Sequence, residues 1–226
     1  YNNKKFKIKS IIKKLSIEPL KKETIKFLNW FSEYNLVPLG MALKLHLLSG
    51  DAIEKQKKEE YQKYQIVTNK EKYKLSDEQD NNFRELIKID NSFRVHLLQG
   101  TTGSGKTIVY FKAIEKIVNQ GNQSLILLPE IGLTGEFEKK FKNFFGFEAA
   151  VWHSKITPKR KKIIWSGLAG GKIKVVIGAR SALFLPFQKL GLIVVDEEHD
   201  QSFKQDEGVT YNARDMAIAR ANNENI

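Results

Sequence analysis

The run Gly100-Thr101-Thr102-Gly103-Ser104-Gly105-Lys106-Thr107 constrains this chain more than any other stretch. It fits G-x-x-x-x-G-K-[ST], and the spacing has a physical logic. Glycines let the backbone curl until successive N–H groups point into one concavity, which suits a polyphosphate. Lys106 then reaches the terminal phosphates, and the Thr107 hydroxyl suits Mg²⁺. The plainer alternative is a Gly-rich turn ahead of a helix. The flanks argue against it. Val95-His96-Leu97-Leu98 reads as a short buried strand and Ile108 to Asn119 as a helix. Strand, Gly-rich loop, helix is the setting that a phosphate-binding loop requires.

Hydrophobic residues make up 41% of the 226-residue chain, enough for one large core or two small ones. The net charge of +12 points to a polyanionic partner, nucleic acid ahead of a membrane surface. A composition rich in Lys, Ile and Asn offers a blander source for that charge. There is no cysteine, so disulfides and thiolate metal sites are excluded from this chain. No apolar run approaches the ~20 residues that span a bilayer, and no signal peptide is visible. A cytoplasmic location and no membrane partner are the expectation. The first residue is Tyr1 rather than Met, which suggests a fragment or processed piece.

Residues 1–50 carry ten Lys against three acids, Glu18, Glu23 and Glu33. Lys4 to Lys9 alternate with Phe6 and Ile8 as an edge strand would. Glu23 to Tyr34 looks helical, with Phe27, Leu28, Phe31 and Tyr34 on one side. Pro38 to Leu48 is a second helix, with Met41, Leu45 and Leu48 on its face and Pro at its first turn. Two helices packed together with a solvated basic side and a DNA-contacting module both fit this segment. Residues 51–74, rich in Lys, Glu and Gln, read as an exposed helix or charged linker. A domain boundary falls there, with residues 75–226 as the main domain.

From Lys74 the pattern changes. Ser76 caps a helix whose first turn carries Asp77 and Glu78. Strands at Ser124–Leu128, Ala149–Trp152, Lys174–Ile177 and Leu190–Val195 then alternate with helices at Thr134–Phe144 and Pro158–Ala169. Such alternation implies a parallel sheet covered on both faces. With the phosphate-binding loop, this is an α/β fold of the RecA-like P-loop NTPase type.

Leu192-Ile193-Val194-Val195 runs directly into Asp196-Glu197-Glu198-His199, ninety residues beyond Lys106. An acid at the carboxyl end of a parallel strand sits where such sheets bind ligands. Asp196 is the expected Mg²⁺ holder together with Thr107. Glu197 is the expected base that orients and deprotonates water. His199 is placed to couple the nucleotide site to neighbouring loops. A solvated acidic turn is the competing reading.

These residues carry a resemblance. Asp196-Glu197-Glu198-His199 resembles the acid box of the DEAH-type superfamily 2 helicases. Further segments are similar to the PriA-type replication-restart helicases, also called primosomal protein N-prime. They are the phosphate-binding loop with Val109-Tyr110, Leu128-Pro129-Glu130-Ile131-Gly132-Leu133-Thr134, His153-Ser154, Gly178-Ala179-Arg180-Ser181-Ala182-Leu183-Phe184, and Asp200 through Ser202-Phe203-Lys204-Gln205 and Tyr211 to Ala213-Arg214-Asp215. Residues 75–220 are covered closely, and Glu18-Pro19-Leu20 and Leu36 to Gly40 more weakly. Gly135-Glu136 departs from the Pro-Gln usual in that family.

The resemblance implies an ATP- and Mg²⁺-dependent 3′-to-5′ DNA helicase that remodels stalled forks and loads the primosome. Its partners would be single-stranded and forked DNA, primosome proteins and the single-stranded DNA-binding protein. A monomer is expected. It implies that Gln79 reads the adenine edge, and that Gly100 to Thr107 bind the nucleotide. It also implies that Arg180, Ser181, Phe203, Lys204, Tyr211 and Arg214 meet DNA. The start of the N-terminal DNA-binding domain, a winged helix, the second RecA-like lobe and the zinc-binding cysteines of the family are not matched here. Residues 1–50 are thus expected to be a remnant of that N-terminal domain, zinc is not expected on this chain, and activity of the chain alone should be low. The rival readings are another superfamily 2 DNA translocase, an inert DNA-binding remnant of a split helicase gene, or a basic nucleotide-binding signalling domain.

Overall fold

Short strands that are apolar on both faces build the centre of the molecule. The computed structural model describes residues 19–47, 73–88, 92–101 and 103–226. The expected Lys4–Lys9 edge strand and nearly all of the 51–74 linker lie outside the described residues. Four parallel strands, β1 (Gln123–Leu127), β2 (Ala150–Trp152), β3 (Val175–Gly178) and β4 (Leu190–Val195), form a sheet in the order β2-β3-β1-β4. β1 lies between β3 and β4, and Ser124 to Leu127 pair in register with Val175 to Gly178. Successive side chains of β1 point to opposite faces, so each face acquires its own apolar core.

One face, through Ile126, Leu128, Val175 and Ile177, packs against α4 (Lys106–Asn119) and α5 (Gly135–Phe145). α3 (Asp77–Leu86) lies against α4. Phe111 of α4 sits at the centre of this core, with Phe141, Phe144 and Phe145 of α5 at ring-centre distances of 5.6, 5.2 and 5.2 Å. The other face, through Leu125, Leu127, Ala150 and Val176, is covered by α6 (Pro158–Ala169), α7 (Ala213–Glu224), α1 (Lys22–Tyr34) and α2 (Leu39–His46). Thr134 and Thr157 accept hydrogen bonds from the N–H of Phe137 and Arg160, fixing the starts of α5 and α6. At the buried base of the sheet the Gln123 amide donates to the Leu168 and Ile173 carbonyls and accepts from the Lys189 N–H.

α1 and α2 pack into the same core as the sheet. Phe27 and Phe31 meet Phe184 at 5.9 and 5.0 Å, and Phe31 meets Tyr211 at 5.5 Å. α2 runs from Leu39 with Pro38 as its cap, and it buries Ala42 and His46. The expected Met41 is exposed, because the helix turns its i, i+4 pair of small and polar residues inward instead. Tyr34, expected on the same side of α1 as Phe27, Leu28 and Phe31, is also exposed, though it stacks on Trp30. His46 is held by specific bonds. Its Nδ1 donates to the Phe184 carbonyl at 2.6 Å, and its own carbonyl accepts from the Trp165 indole at 2.9 Å. A buried cation also ties α7 down. Arg220 donates to the Leu183 and Leu185 carbonyls and pairs with Glu224.

The expected strand at Val95–Leu98 forms no ladder. Val95 and Leu97 are 60% and 77% exposed. The segment is held just before it, where the Phe93 N–H donates to Asn225 Oδ1 and the Arg94 N–H to the Ile226 carbonyl. A run of four residues, three of them apolar, carries no period that separates a strand from an extended loop.

Two stability outcomes follow from these cores. Phe111→Ala removes the ring that five aromatic contacts surround and should cost about 3–5 kcal/mol in urea unfolding. Burial, then the nearby Arg220 charge, lowers the His46 pKa from 6.5 to about 4. Its Nε2 is buried with no acceptor, so protonation would strand a second N–H. The unfolded state therefore binds more protons between those values. Stability should be full above about pH 6.5, fall as the pH drops, and level off below about pH 4, losing up to about 3 kcal/mol. Urea midpoints measured from pH 7 to pH 4 should flatten in His46→Asn.

Candidate nucleotide site

The carboxyl ends of the strands place the chemistry. The Asp196 N–H donates to the Leu127 carbonyl at 3.0 Å, so the first residue after β4 is fixed beside the end of β1. The phosphate-binding loop opens α4 across the same rim. Gly103 and Gly105 adopt φ of +84° and +85°, a left-handed backbone that L side chains rarely take, which explains why glycine stands at both. Thr102 lies outside the described residues. Lys106 folds back over its own loop, donating to the Gly100 and Thr101 carbonyls. Its ammonium thus sits within the curl that a phosphate would enter.

α3 braces the loop. Ser76 and Gln79 form a reciprocal capping box, the Ser76 side chain accepting from the Gln79 N–H and the Gln79 Oε1 accepting from the Ser76 N–H. The other end of the Gln79 amide donates to the Ser104 carbonyl at 3.0 Å. Gln79, expected at the adenine edge, therefore spans helix cap and loop in this structure.

Across the rim, Tyr110 donates its hydroxyl to Asp196 Oδ2 at 2.8 Å. Burial, then the Asp196 charge, pushes the phenol far above its usual range, so it stays a donor. Asp196 Oδ1 accepts the Glu197 N–H at 3.1 Å. Glu197 has φ of +52°, uncommon for a residue with a side chain. That turn leaves Glu197 exposed, with its carboxylate 3.7 Å from His199 Nε2. Glu198 points to the neighbouring loop and pairs with Arg214 at 3.1 Å. Among the described residues no group of three or more His, Asp or Glu could hold a metal by itself. Hard oxygen donors on Thr107 and Asp196 suit Mg²⁺, which takes one or two protein oxygens and fills the rest with water and phosphate.

The residues expected at DNA divide into two groups. Phe203 and Tyr211 are 1% and 4% exposed, so neither ring face is open to a base, and the expected stacking role is corrected to core packing. Tyr211 lies edge-on to Phe31 and Phe184. Ser181 and Lys204 are exposed, Lys204 pairing with Asp206. Arg180 donates through one nitrogen to the Ser202 and Lys204 carbonyls, at 3.0 and 2.7 Å. It clamps the loop between the acid box and α7. Arg214 reaches Glu198 and Asp215. Sequence reasoning missed Tyr110 as a site residue, though its place three residues after Thr107 was the available signal.

A phosphate-binding loop and a DEEH box at one rim of a parallel sheet define the ATP-driven helicase class. Residues 76–224 match the DEAD/DEAH box helicase family, and the chain belongs to it. Its similarity is specific within that class. It is 42% identical over 215 residues to "Replication restart protein PriA" of Rickettsia felis, covering 95% of this chain and 32% of that protein. It is 43% identical over 220 residues to the protein of that name in Rickettsia conorii, covering 97% of this chain and 33% of the other. Over 150 residues it is 43% identical to the Bacillus subtilis protein of that name, covering 65% of this chain and 18% of the other. The chain spans about a third of the length of the Rickettsia proteins.

Arg180→Ala should free two carbonyls that a charged donor now satisfies, a loss of about 1.5–3 kcal/mol of local stability. Hydrogen exchange at residues 202–205 should quicken, while exchange in β1 and β3 stays unchanged.

Proposed function

We propose that this chain is the ATP-binding lobe of a replication-restart DNA helicase that moves 3′ to 5′ on single-stranded DNA. Residues 75–226 form the lobe in this reading, and residues 1–50 are the remnant of a DNA-binding domain whose helices α1 and α2 pack onto the lobe's core. The Tyr110–Asp196 hydrogen bond is the observation that carries it, because it joins the phosphate-binding helix to the acid box. Gly100 to Thr107 cradle the phosphates through backbone N–H groups, and Lys106 exchanges its own loop carbonyls for phosphate oxygens. Thr107 and Asp196 would hold Mg²⁺, which when bound would neutralise the charge developing on the phosphates. Glu197, exposed at the rim, orients a water and takes its proton.

DNA runs over the surface beyond the acid box, where Ser181, Lys204 and the guanidinium groups of Arg180 and Arg214 supply phosphate contacts. Phe203 and Tyr211 support that loop from beneath. The link from DNA to chemistry runs through the Arg214–Glu198 pair, adjacent to Glu197. Primosome proteins and the single-stranded DNA-binding protein are the proposed partners of the longer helicase. A monomer in the cytoplasm is the proposed working form. Among the described residues no helix is long and apolar enough to cross a membrane.

The test is ATP binding and turnover with and without single-stranded DNA. Binding should be Mg²⁺-dependent and should be lost in Lys106→Ala. Turnover by this chain should be slow, and it should be lost in the same variant. A chain that binds no ATP, or binds it equally well as Lys106→Ala, would overturn the proposal.

A further inference from the structure

We propose that Tyr110 is a positioning residue that holds the Asp196 carboxylate against the phosphate-binding loop, set for Mg²⁺. The proposal rests on the ATP·Mg²⁺ reading of the site. Three residues separate Tyr110 from Thr107, close to one helical turn, so both stand on the face of α4 that looks to the strand ends. The phenol donates to Asp196 Oδ2 at 2.8 Å. The Thr107 hydroxyl stands near the same phenol. One hydroxyl therefore binds Asp196 and stands near Thr107, two proposed metal-side residues that lie 89 positions apart in the chain.

The chemistry of that arrangement is specific. A carboxylate has about four lone-pair directions. Tyr110 and the Glu197 N–H occupy one on each oxygen of Asp196, leaving the others for a metal or its waters. The Tyr110 ring is almost wholly buried and lies edge-on to Phe111 at 5.2 Å, so packing fixes its aim. Asp196 is only half-buried, and without the phenol the Glu197 N–H alone of these two donors would hold its side chain. Phenylalanine would fill the same space and remove only the hydroxyl. A purely structural tyrosine and a positioning tyrosine thus predict different outcomes for one substitution.

The experiment uses this chain, Tyr110→Phe, Asp196→Asn and the double variant. Binding of a fluorescent ADP analogue is titrated at a series of Mg²⁺ concentrations, and Mn²⁺ binding to the nucleotide complex is read by electron paramagnetic resonance. The metal-free affinity should stay within about twofold, which also reports an intact loop. The Mg²⁺ or Mn²⁺ concentration at half-effect should rise about tenfold, the scale seen when a metal ligand loses its supporting hydrogen bond. In the Asp196→Asn background the Tyr110→Phe change should add nothing, because the two act through one carboxylate. Unchanged metal dependence, a parallel fall in metal-free affinity, or full additivity would each overturn the proposal. A wild-type chain that binds no nucleotide overturns the ATP reading itself and this proposal with it. Wild-type binding with an unaffected Tyr110→Phe overturns the positioning role alone.

Discussion

Parallel pairing of β1 with β3 on one side and β4 on the other is the constraint on which the rest of the molecule depends. A parallel strand cannot turn straight back onto its neighbour, so each connection crosses a face of the sheet. The crossings supply the helices, the helices bury both faces, and the carboxyl ends of all strands come out at one rim. The ladder continues a step past the strands there. Leu127 accepts from Asp196, and Leu128 donates to the Gly178 carbonyl. The acid box and the turn at Arg180–Phe184 are therefore placed by backbone geometry before any side chain acts.

Electrostatics then organises that rim. Lys106 rests on carbonyls of its own loop, Arg180 on carbonyls of the next, and Arg214 on Glu198. Each cation finds oxygen atoms nearby, and none of these three contacts is deeply buried. Exchange of such a partner for a phosphate swaps one solvated charge contact for another, and the folded core is not disturbed by it. Arg220 differs in kind. It is buried with Glu224 and two carbonyls, and breaking that set would leave an uncompensated interior charge.

Much of this was legible in the sequence because the signals are local. The strands and helices from Lys106 to Val195 lie within a residue or two of those expected, though the helix α7 was not, and Ser76, Thr134 and Thr157 occupy cap positions. The phosphate-binding loop and the acid box are short motifs whose spacing carries their chemistry. What could not be read depends on distant partners. His46 needs Phe184 and Trp165, and Arg220 needs Leu183 and Leu185. Nothing beside either residue announces burial. Phe203 and Tyr211 look like DNA-facing aromatics in an otherwise polar loop, yet the core between the sheet and α1 claims both. Val95–Leu98 failed in the opposite sense, an apolar run left in solvent.

The family signature starts at residue 76, but the hydrophobic core starts earlier. α1 lays Phe27 and Phe31 over Phe184, and α2 inserts His46 between Phe184 and Trp165. The segment that carries the sequence hallmarks is thus smaller than the segment that folds. A fragment trimmed to the hallmarks would present a bare aromatic surface to water beside the turn that bears Arg180. For this lobe, the two helices ahead of the signature serve as its lid.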